Sequence, residues 1–429
     1  MDTIFALATA RGRAGVAVVR ASGPRAFAMA TLLGGDVPPA RRAVLRSLKA
    51  DDVVLDQALV LAFHAGASFT GEDVVEFHLH GGAAVIRSVL GVLATCEGLR
   101  QAEPGEFTRR ALENGCLDLA QVEGLADLID AETEAQRRQA MRILSGAMAD
   151  KVAMWRGELL TCTALLEATI DFSEEDLPPR LVDEVEAGLH RVLQDLQTQL
   201  NGHGAAERLR EGFEVALVGP PNAGKSTLLN ALAKRDAALT SAIPGTTRDI
   251  IEVRMEIAGL PVTILDTAGI RETTDVLERA GIDRTRNRAG AADLRVFLLA
   301  EDEADLPLGR EAQDLVVLTK ADLHPPQDAL LAISGLTGQG IEKMVEIIGE
   351  RLGQMTAGAS LIVHARHETA VRKAISYLTC AVAGLSDGAA SEICADDVRL
   401  AMRAIESLIG KVDTEELLGH IFGRFCIGK

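Results

Sequence analysis

The chain is poor in aromatic residues, which make up 3% of its 429 positions, with one Trp and one Tyr. That scarcity argues against the stacked-ring platforms that commonly hold single-stranded nucleic acid. Long apolar runs are missing as well. No uncharged apolar stretch reaches about 18 residues, so no segment is expected to cross a membrane. The N-terminus, MDTIFALATARGRAG, carries an acid at Asp2 and no basic cluster ahead of an apolar core, so no signal peptide is expected. The six cysteines are scattered and form no CxxC pair. In a chain of this size that pattern reads as reduced thiols in a cytoplasmic protein. Positive charge is in deficit, with a net charge of −18. This excludes a surface coated for non-specific nucleic-acid binding but leaves room for a local basic face or a contact supplied by a partner.

What is present is a globular balance, 48% apolar and 25% charged, in a chain too long for one core; two or three domains are expected. Through residue 117, short apolar runs alternate with Gly-rich turns. Strands are expected over 15–20 and 74–79, and helices over 83–93 and Glu106–Glu113. This segment, 1–117, reads as an α+β domain. From 118 to 210 glycine thins out and Val122, Leu125, Leu128 and Ile129 recur at helical spacing. An acidic stretch ending in Pro178-Pro179 interrupts the helices. From 211 to 353 strand and helix alternate, with strands expected at Phe213–Val218, Glu252–Ile257, 262–265, Leu294–Leu299, Leu315–Leu318 and 331–333. That alternation indicates a mostly parallel sheet. Helical character returns over 354–429. The fold class is therefore multidomain α+β and α/β: an N-terminal α+β domain and a discontinuous helical domain interrupted by an inserted Ras-like P-loop domain.

Gly219-Pro220-Pro221-Asn222-Ala223-Gly224-Lys225-Ser226 follows a strand and opens a helix, the context a P-loop requires. Backbone N–H groups of such a loop and the helix N-terminus face phosphates. Lys225 supplies a point charge and the Ser226 hydroxyl a Mg2+ ligand. Asp266-Thr267-Ala268-Gly269 ends the second apolar strand, where an Asp can hold Mg2+ through water and the Gly269 N–H can sense a γ-phosphate. Between the two lies Pro244-Gly245-Thr246-Thr247-Arg248-Asp249, and Thr247 is the expected switch ligand of Mg2+. Thr319-Lys320-Ala321-Asp322 looks like the guanine-selecting NKxD motif with Thr in place of Asn. Asp322 would accept from guanine N1–H and the 2-amino group, donors that adenine does not offer there. Ser334-Gly335-Leu336 stands where a SAK-like base loop belongs. The position after DTAG, which carries Gln in small signalling GTPases, is Ile270 and cannot orient water. Another device is needed, and the side-chain oxygen of Asn222 with carbonyls of the 241–246 loop could hold a monovalent cation. From the residues alone, Glu278 is a carboxylate on a helix and reads as a solvated charge.

The ordered set PNAGKST, GTTRD, DTAGIRE and the terminal FCIGK resembles the tRNA-modification GTPase family MnmE/TrmE. So do GRAGVAVVRASG, SFTGEDVVEFHLHGG and EPGEFTRRALENGCLDLAQVEGLADLIDAET, and the resemblance runs from Thr3 to Lys429. It implies a homodimer whose N-terminal domain binds a tetrahydrofolate derivative (5-formyl or methylene). It implies a GTPase that uses Mg2+ and K+ and is activated by pairing of its G domains. With an FAD-containing partner (MnmG, or GidA) in a heterotetramer, it would add a (carboxymethyl)aminomethyl group to C5 of the wobble uridine of certain tRNAs. By motif, the GTP-binding residues would be Asn222, Ala223, Gly224, Lys225, Ser226 and Thr227; Ser241, Ala242, Ile243, Pro244, Gly245 and Thr246; Asp266, Thr267, Ala268 and Gly269; and Thr319, Lys320, Asp322 and Ser334. K+ would rest on Asn222, Ser241, Ile243 and Thr246, and Mg2+ on Ser226 and Thr247. Glu278, Arg271 and Cys426 would be catalytic, and Arg20, Glu76, Cys116 and Lys429 would contact folate. Cys116 replaces the family's customary Lys, which would shift that anchor to Arg109 or Arg110.

Rival readings are a regulatory or ribosome-assembly switch without modification chemistry, and a scaffold that only recruits a catalytic partner. Cys426-Ile427-Gly428-Lys429 is a poor prenylation box, lacking an upstream polybasic run. His78 and His80 share a strand face, but no third metal ligand is evident and packing explains them better.

Overall fold

The computed structural model describes residues 2–171, 180–234, 252–266, 287–299, 309–311, 313–323, 331–387, 391–410 and 428. Two compact units emerge, 1–126 with 406–429, and 127–405.

The first unit is built on six strands: β1 (Thr3–Leu7), β2 (Ala14–Ser22), β3 (Val44–Ala50), β4 (Val53–Phe63), β5 (Val74–Gly81) and β6 (Leu99–Gln101). Their order is β3-β4-β5-β2-β1-β6, antiparallel except for the β1–β6 pair. The alternation in VVEFHLH determines which side is buried. Val75, Phe77 and Leu79 pack into the core with Met29, Ala30 and Leu33 of α1 (Ala26–Gly34) and Val89 and Leu93 of α2 (Ala83–Ala94). Glu76, His78 and His80 are more exposed. Register then sets Arg20 opposite Glu76, and Val18 opposite His78. Beyond β6 come α3 (Glu106–Glu113) and α4 (Leu119–Asp130). A capping box starts α4, Gln121 N–H donating to Asp118 and Asp118 N–H to Gln121.

In the second unit α5 (Glu134–Leu144), α6 (Ala147–Asp171), α7 (Arg180–Asn201) and α8 (His203–Glu211) precede a second sheet. Its strands are β7 (Phe213–Val218), β8 (Glu252–Ile257), β9 (Leu260–Asp266), β10 (Leu294–Leu299), β11 (Leu315–Leu318) and β12 (Leu331–Ala332). The order β12-β11-β10-β7-β9-β8 is parallel apart from β8, which runs antiparallel to β9. α9 (Lys225–Ala233) and α10 (Ile341–Met355) contribute Leu228, Leu232, Met344 and Ile348 to its core. After the sheet come α11 (Ala365–Ser386) and α12 (Ser391–Glu406). α7 packs against both α6 and α11, so helices from before and after the sheet share one core. Trp155, 1% exposed, fastens α6 to α7 through Nε1–H to Asp195 at 2.7 Å. The chain enters and leaves the sheet at one root. There Ser360 N–H donates to Gly202 carbonyl at 3.3 Å, and the buried His203 Nδ1 lies 2.7 Å from Ile362 carbonyl. No helix among the described residues is long and apolar enough to cross a membrane.

Candidate active site

The β7–α9 loop gathers the first group of expected residues. Asn222 takes φ 64° and Gly224 φ 90°, the left-handed turns that aim successive N–H groups to one side. Asn tolerates this conformation better than other non-Gly residues. Gly219 lies against β10, and a Cβ there would sit 2.6 Å from Leu298 carbonyl. Lys225 is 7% exposed, and its Nζ donates to Gly219 carbonyl at 2.6 Å and Pro220 carbonyl at 2.8 Å. The ammonium is thus held over its own loop, desolvated and multiply hydrogen-bonded. The parallel register puts Leu217 beside Asp266, and Ser226 Oγ–H donates to Asp266 Oδ2 at 3.1 Å. Two hard oxygen donors meet there at the helix start, a set suited to a small divalent cation.

At the far end of the same sheet edge, Thr319 N–H and Oγ1–H both donate to Leu299 carbonyl, at 2.9 and 3.1 Å. The Thr hydroxyl that replaces the expected Asn amide therefore stays within the β10–β11 strand ends. Asp322 Oδ1 accepts from Ser334 Oγ–H at 2.5 Å, and Ser334, fully buried, accepts from Thr337 N–H at 3.2 Å. Asn222, Lys225 and Ser226 at one end and Thr319, Lys320 and Asp322 at the other line one cavity of about 530 Å3. A phosphate-shaped loop and a carboxylate oriented for N–H donors thus face the same space. Leu336, in the expected base loop, lines it too, as does Leu323. Leu323 was missed from sequence; an apolar residue just after a base motif is a weak signal by itself.

Comparison with known proteins adds the rest. Residues 3–116 match the family model described as GTP-binding protein TrmE N-terminus, and residues 119–426 match that of the MnmE helical domain. The tRNA modification GTPase MnmE of Cereibacter sphaeroides (strain ATCC 17029) is 58% identical, with 100% of both chains covered. That of Roseobacter denitrificans is 54% identical, again over 100% of both. This chain belongs to the MnmE/TrmE family of GTPases. Among solved structures, the G domain of the T. maritima FeoB iron transporter overlays 33% of this chain and 98% of its own, at 22% identity and TM-score 0.24.

Other residues expected from the MnmE/TrmE resemblance lie in the first unit. Arg20 and Glu76 meet across the β2–β5 ladder, with Nε and Nη2 each 2.8 Å from Glu76 Oε1. The Arg20 guanidinium lies 5.7 Å from the ring centres of both Phe69 and Phe107, a cation–π arrangement. His78 Nε2 is 3.2 Å from the other Glu76 oxygen. Cys116 is exposed and packs against Gly71, where a Cβ would come 2.9 Å from its Sγ. Arg110, one of the two expected replacement anchors near Cys116, is already ion-paired. It is 8% exposed and committed to Glu72 at 3.0 Å, Glu106 at 3.1 Å and Asp2 at 2.9 Å. Burial disfavours its charge, but Glu72 and Glu106 outweigh that and raise its pKa. His78 and His80 have separate carboxylate partners, Glu76 and Asp56. Among the described residues no group of three His, Cys, Asp or Glu is placed to hold a metal. Gly428 is described and buried, pressed so close to β1 that a Cβ would lie 2.2 Å from Leu7 carbonyl. The penultimate residue of the chain is therefore docked in this unit. Ser241 to Thr247, Thr267 to Gly269, Arg271, Glu278, Cys426 and Lys429 lie outside the described residues.

Proposed function

We propose that this chain hydrolyses GTP and, with an FAD-containing partner, adds a (carboxymethyl)aminomethyl group to C5 of the wobble uridine of certain tRNAs, in the cytoplasm. The observation that carries the reading is the single cavity joining Lys225 and Ser226 to Asp322, in a chain whose relatives of full length bear the name tRNA modification GTPase MnmE.

In this reading the loop 219–226 receives the phosphates. Lys225 exchanges its two carbonyl partners for phosphate oxygens, a trade of neutral acceptors for charged ones that strengthens each hydrogen bond. Asp322, its carboxylate turned by Ser334, takes the guanine edge, and Lys320 lies along the base. Mg2+ would sit on Ser226 and Thr247, with Asp266 behind it; the 3.1 Å Ser226–Asp266 pair is the support for this. K+ would rest on Asn222 with Ser241, Ile243 and Thr246, and would neutralise charge that builds up as the γ-phosphate leaves. Glu278 would orient water in place of the missing Gln, with Arg271 nearby.

The first unit supplies the second function. Glu76, paired with the Arg20 guanidinium that lies against the Phe69 and Phe107 rings, would accept from N–H donors of a flat heterocycle such as a tetrahydrofolate pterin. Cys116, Cys426 and Lys429 belong to the same site in this reading, supported by the docking of Gly428 on this unit. Bound folate would supply the one-carbon unit; the protein binds it, orients it and keeps water away. Two copies pair as a homodimer and bind the partner as a heterotetramer. The segments 1–117, 118–210, 211–353 and 354–429 are assigned as folate and dimerisation domain, first helical segment, GTPase domain and second helical segment.

GTP turnover by the purified chain in KCl against NaCl, at equal ionic strength, tests the hydrolytic device. Strong K+ stimulation, lost in Asn222→Ala, is expected. Equal rates in the two salts would contradict the K+ assignment.

A further inference from the structure

Between Glu134 and Asp150 the chain carries no acid and three arginines, Arg137, Arg138 and Arg142. In a protein with a net charge of −18 that is a local reversal of sign. The three lie on α5 with Glu134 and Met141, at positions i, i+3, i+4, i+7 and i+8, and so share one side of the helix. That side faces water. The Arg137 and Arg138 side chains are 52% and 75% exposed, and Met141 and Arg142 are exposed as well.

The opposite side is fastened. Thr133 and Gln136 form a capping box at the helix start. Gln136 Nε2–H donates to Arg210 carbonyl and Gln139 Nε2–H to Ala206 carbonyl, both at 2.9 Å. Ala135 N–H donates to Gly259 carbonyl at 3.3 Å, and Ala140 and Ile143 are buried. The helix is thus held against α8 and the β8–β9 turn, and its arginines form a fixed row.

Stability does not account for that row. Arg138 and Arg142 are like charges at i, i+4, a destabilising spacing. Arg137 and Arg138 stand near the helix N-terminus, where the macrodipole disfavours cations. One carboxylate serves this side of the helix. Glu134 accepts from Arg137 Nε–H at 2.7 Å and Nη2–H at 2.8 Å, and from Arg138 Nε–H at 2.7 Å. Exposed pairs of this kind are weak and are readily exchanged for another anion.

We propose that the outer face of α5 is an RNA-docking surface, on which Arg137, Arg138 and Arg142 hold phosphates of the tRNA backbone. The planar guanidinium fork matches a phosphate with two hydrogen bonds, and all three positions carry it. Met141 lies between them and offers an apolar contact to a sugar. With aromatic residues at 3% of the chain, phosphate contact and shape, not base stacking, are the mode of recognition this surface supports. A row of cations on one anchored helix is the local contact that an acidic chain requires. The inference rests on the tRNA reading above.

Fluorescence anisotropy of a labelled tRNA transcript with a wobble uridine, titrated with the full chain over a range of KCl concentrations, tests it. Wild type should bind with a steep salt dependence. The triple variant Arg137→Gln/Arg138→Gln/Arg142→Gln should bind about 10- to 100-fold more weakly, and its log–log salt slope should be shallower by about 2 to 3, the loss of three phosphate contacts. Arg372→Gln/Lys373→Gln/Arg403→Gln removes the same charge from other exposed positions, on α11 and α12, and should bind close to wild type. GDP affinity should be unchanged in both variants. Equal tRNA affinity in the two triple variants, or no tRNA binding by wild type, would overturn the surface. Unchanged tRNA affinity joined to lost co-elution with the FAD-containing partner would assign the face to a protein and overturn it likewise. The tRNA reading itself fails by a different result, persistence of the modified wobble uridine in cells lacking the chain.

Discussion

Lys225, Asp322 and Thr319 show three different relations between a residue and its surroundings. The Lys225 ammonium is buried and hydrogen-bonded to carbonyls, so Lys225→Ala removes charge from the phosphate end without opening a core. GTP turnover in that variant should fall at least about 100-fold, the scale of losing one preorganised electrostatic group, with the melting temperature little changed; turnover near wild type would contradict the assignment. Asp322→Asn turns an acceptor into a donor against guanine N1–H, and GDP affinity should drop by roughly 100-fold or more. The Thr319 hydroxyl donates to Leu299 carbonyl at the neighbouring strand end. Thr319→Asn, by lengthening the reach of this side chain toward the loop, should tighten GDP by about one hydrogen bond, roughly 5-fold; no change or a loss would show that the strand-end tie is what the site needs. The placement of Lys225, Ser226, Asp266 and Asp322 was legible in sequence because spacing relative to a strand end dictates where they sit. Leu323 was not, because the lining of a cavity is a property of the folded loop. The commitment of Arg110 to three carboxylates was hidden for the same reason: its partners, Asp2 and Glu72 among them, are far away in the chain.

At the scale of elements, alternation and Gly punctuation made the six strands of the second sheet readable but only β2 and β5 of the first, and the compositional change near 118 pointed to a helical domain split around an insert. Pairing was beyond such reading. That β5 lies beside β2 in the register joining Glu76 to Arg20 depends on long-range packing of Phe77 and Val19, not on local preference. The helix α3 offers a test of what holds the first unit. Burial pushes the Glu106 carboxyl up, but hydrogen bonds from Arg100, Glu103 N–H and Arg110 outweigh this and hold its pKa below the ordinary glutamate value. A depressed folded-state pKa stabilises above the unfolded value, so this contribution is present above about pH 4.3 and is lost progressively as pH falls through the lower folded-state value. Glu106→Gln should therefore lower stability at pH 7 by about 3 kcal/mol, the cost of leaving the buried Arg110 guanidinium underpaired, and should flatten the acid limb of a stability-versus-pH curve. A variant with the wild-type acid limb would show that Glu106 is not the group responsible.

Over the whole molecule, a net charge of −18 means that tRNA contact, in this account, is local or shared with the partner and not spread over the surface. The assembly proposed is a homodimer, so light scattering should return twice 45.5 kDa; a mass of 45.5 kDa at micromolar concentration would contradict it. Whether the GTP site serves tRNA modification is decided by mass spectrometry of tRNA nucleosides from cells lacking this chain, complemented with wild type or with Lys225→Ala. The C5-modified wobble uridine should vanish without the chain, return with wild type and stay absent with Lys225→Ala. Undiminished modified uridine in the deletion strain would contradict it.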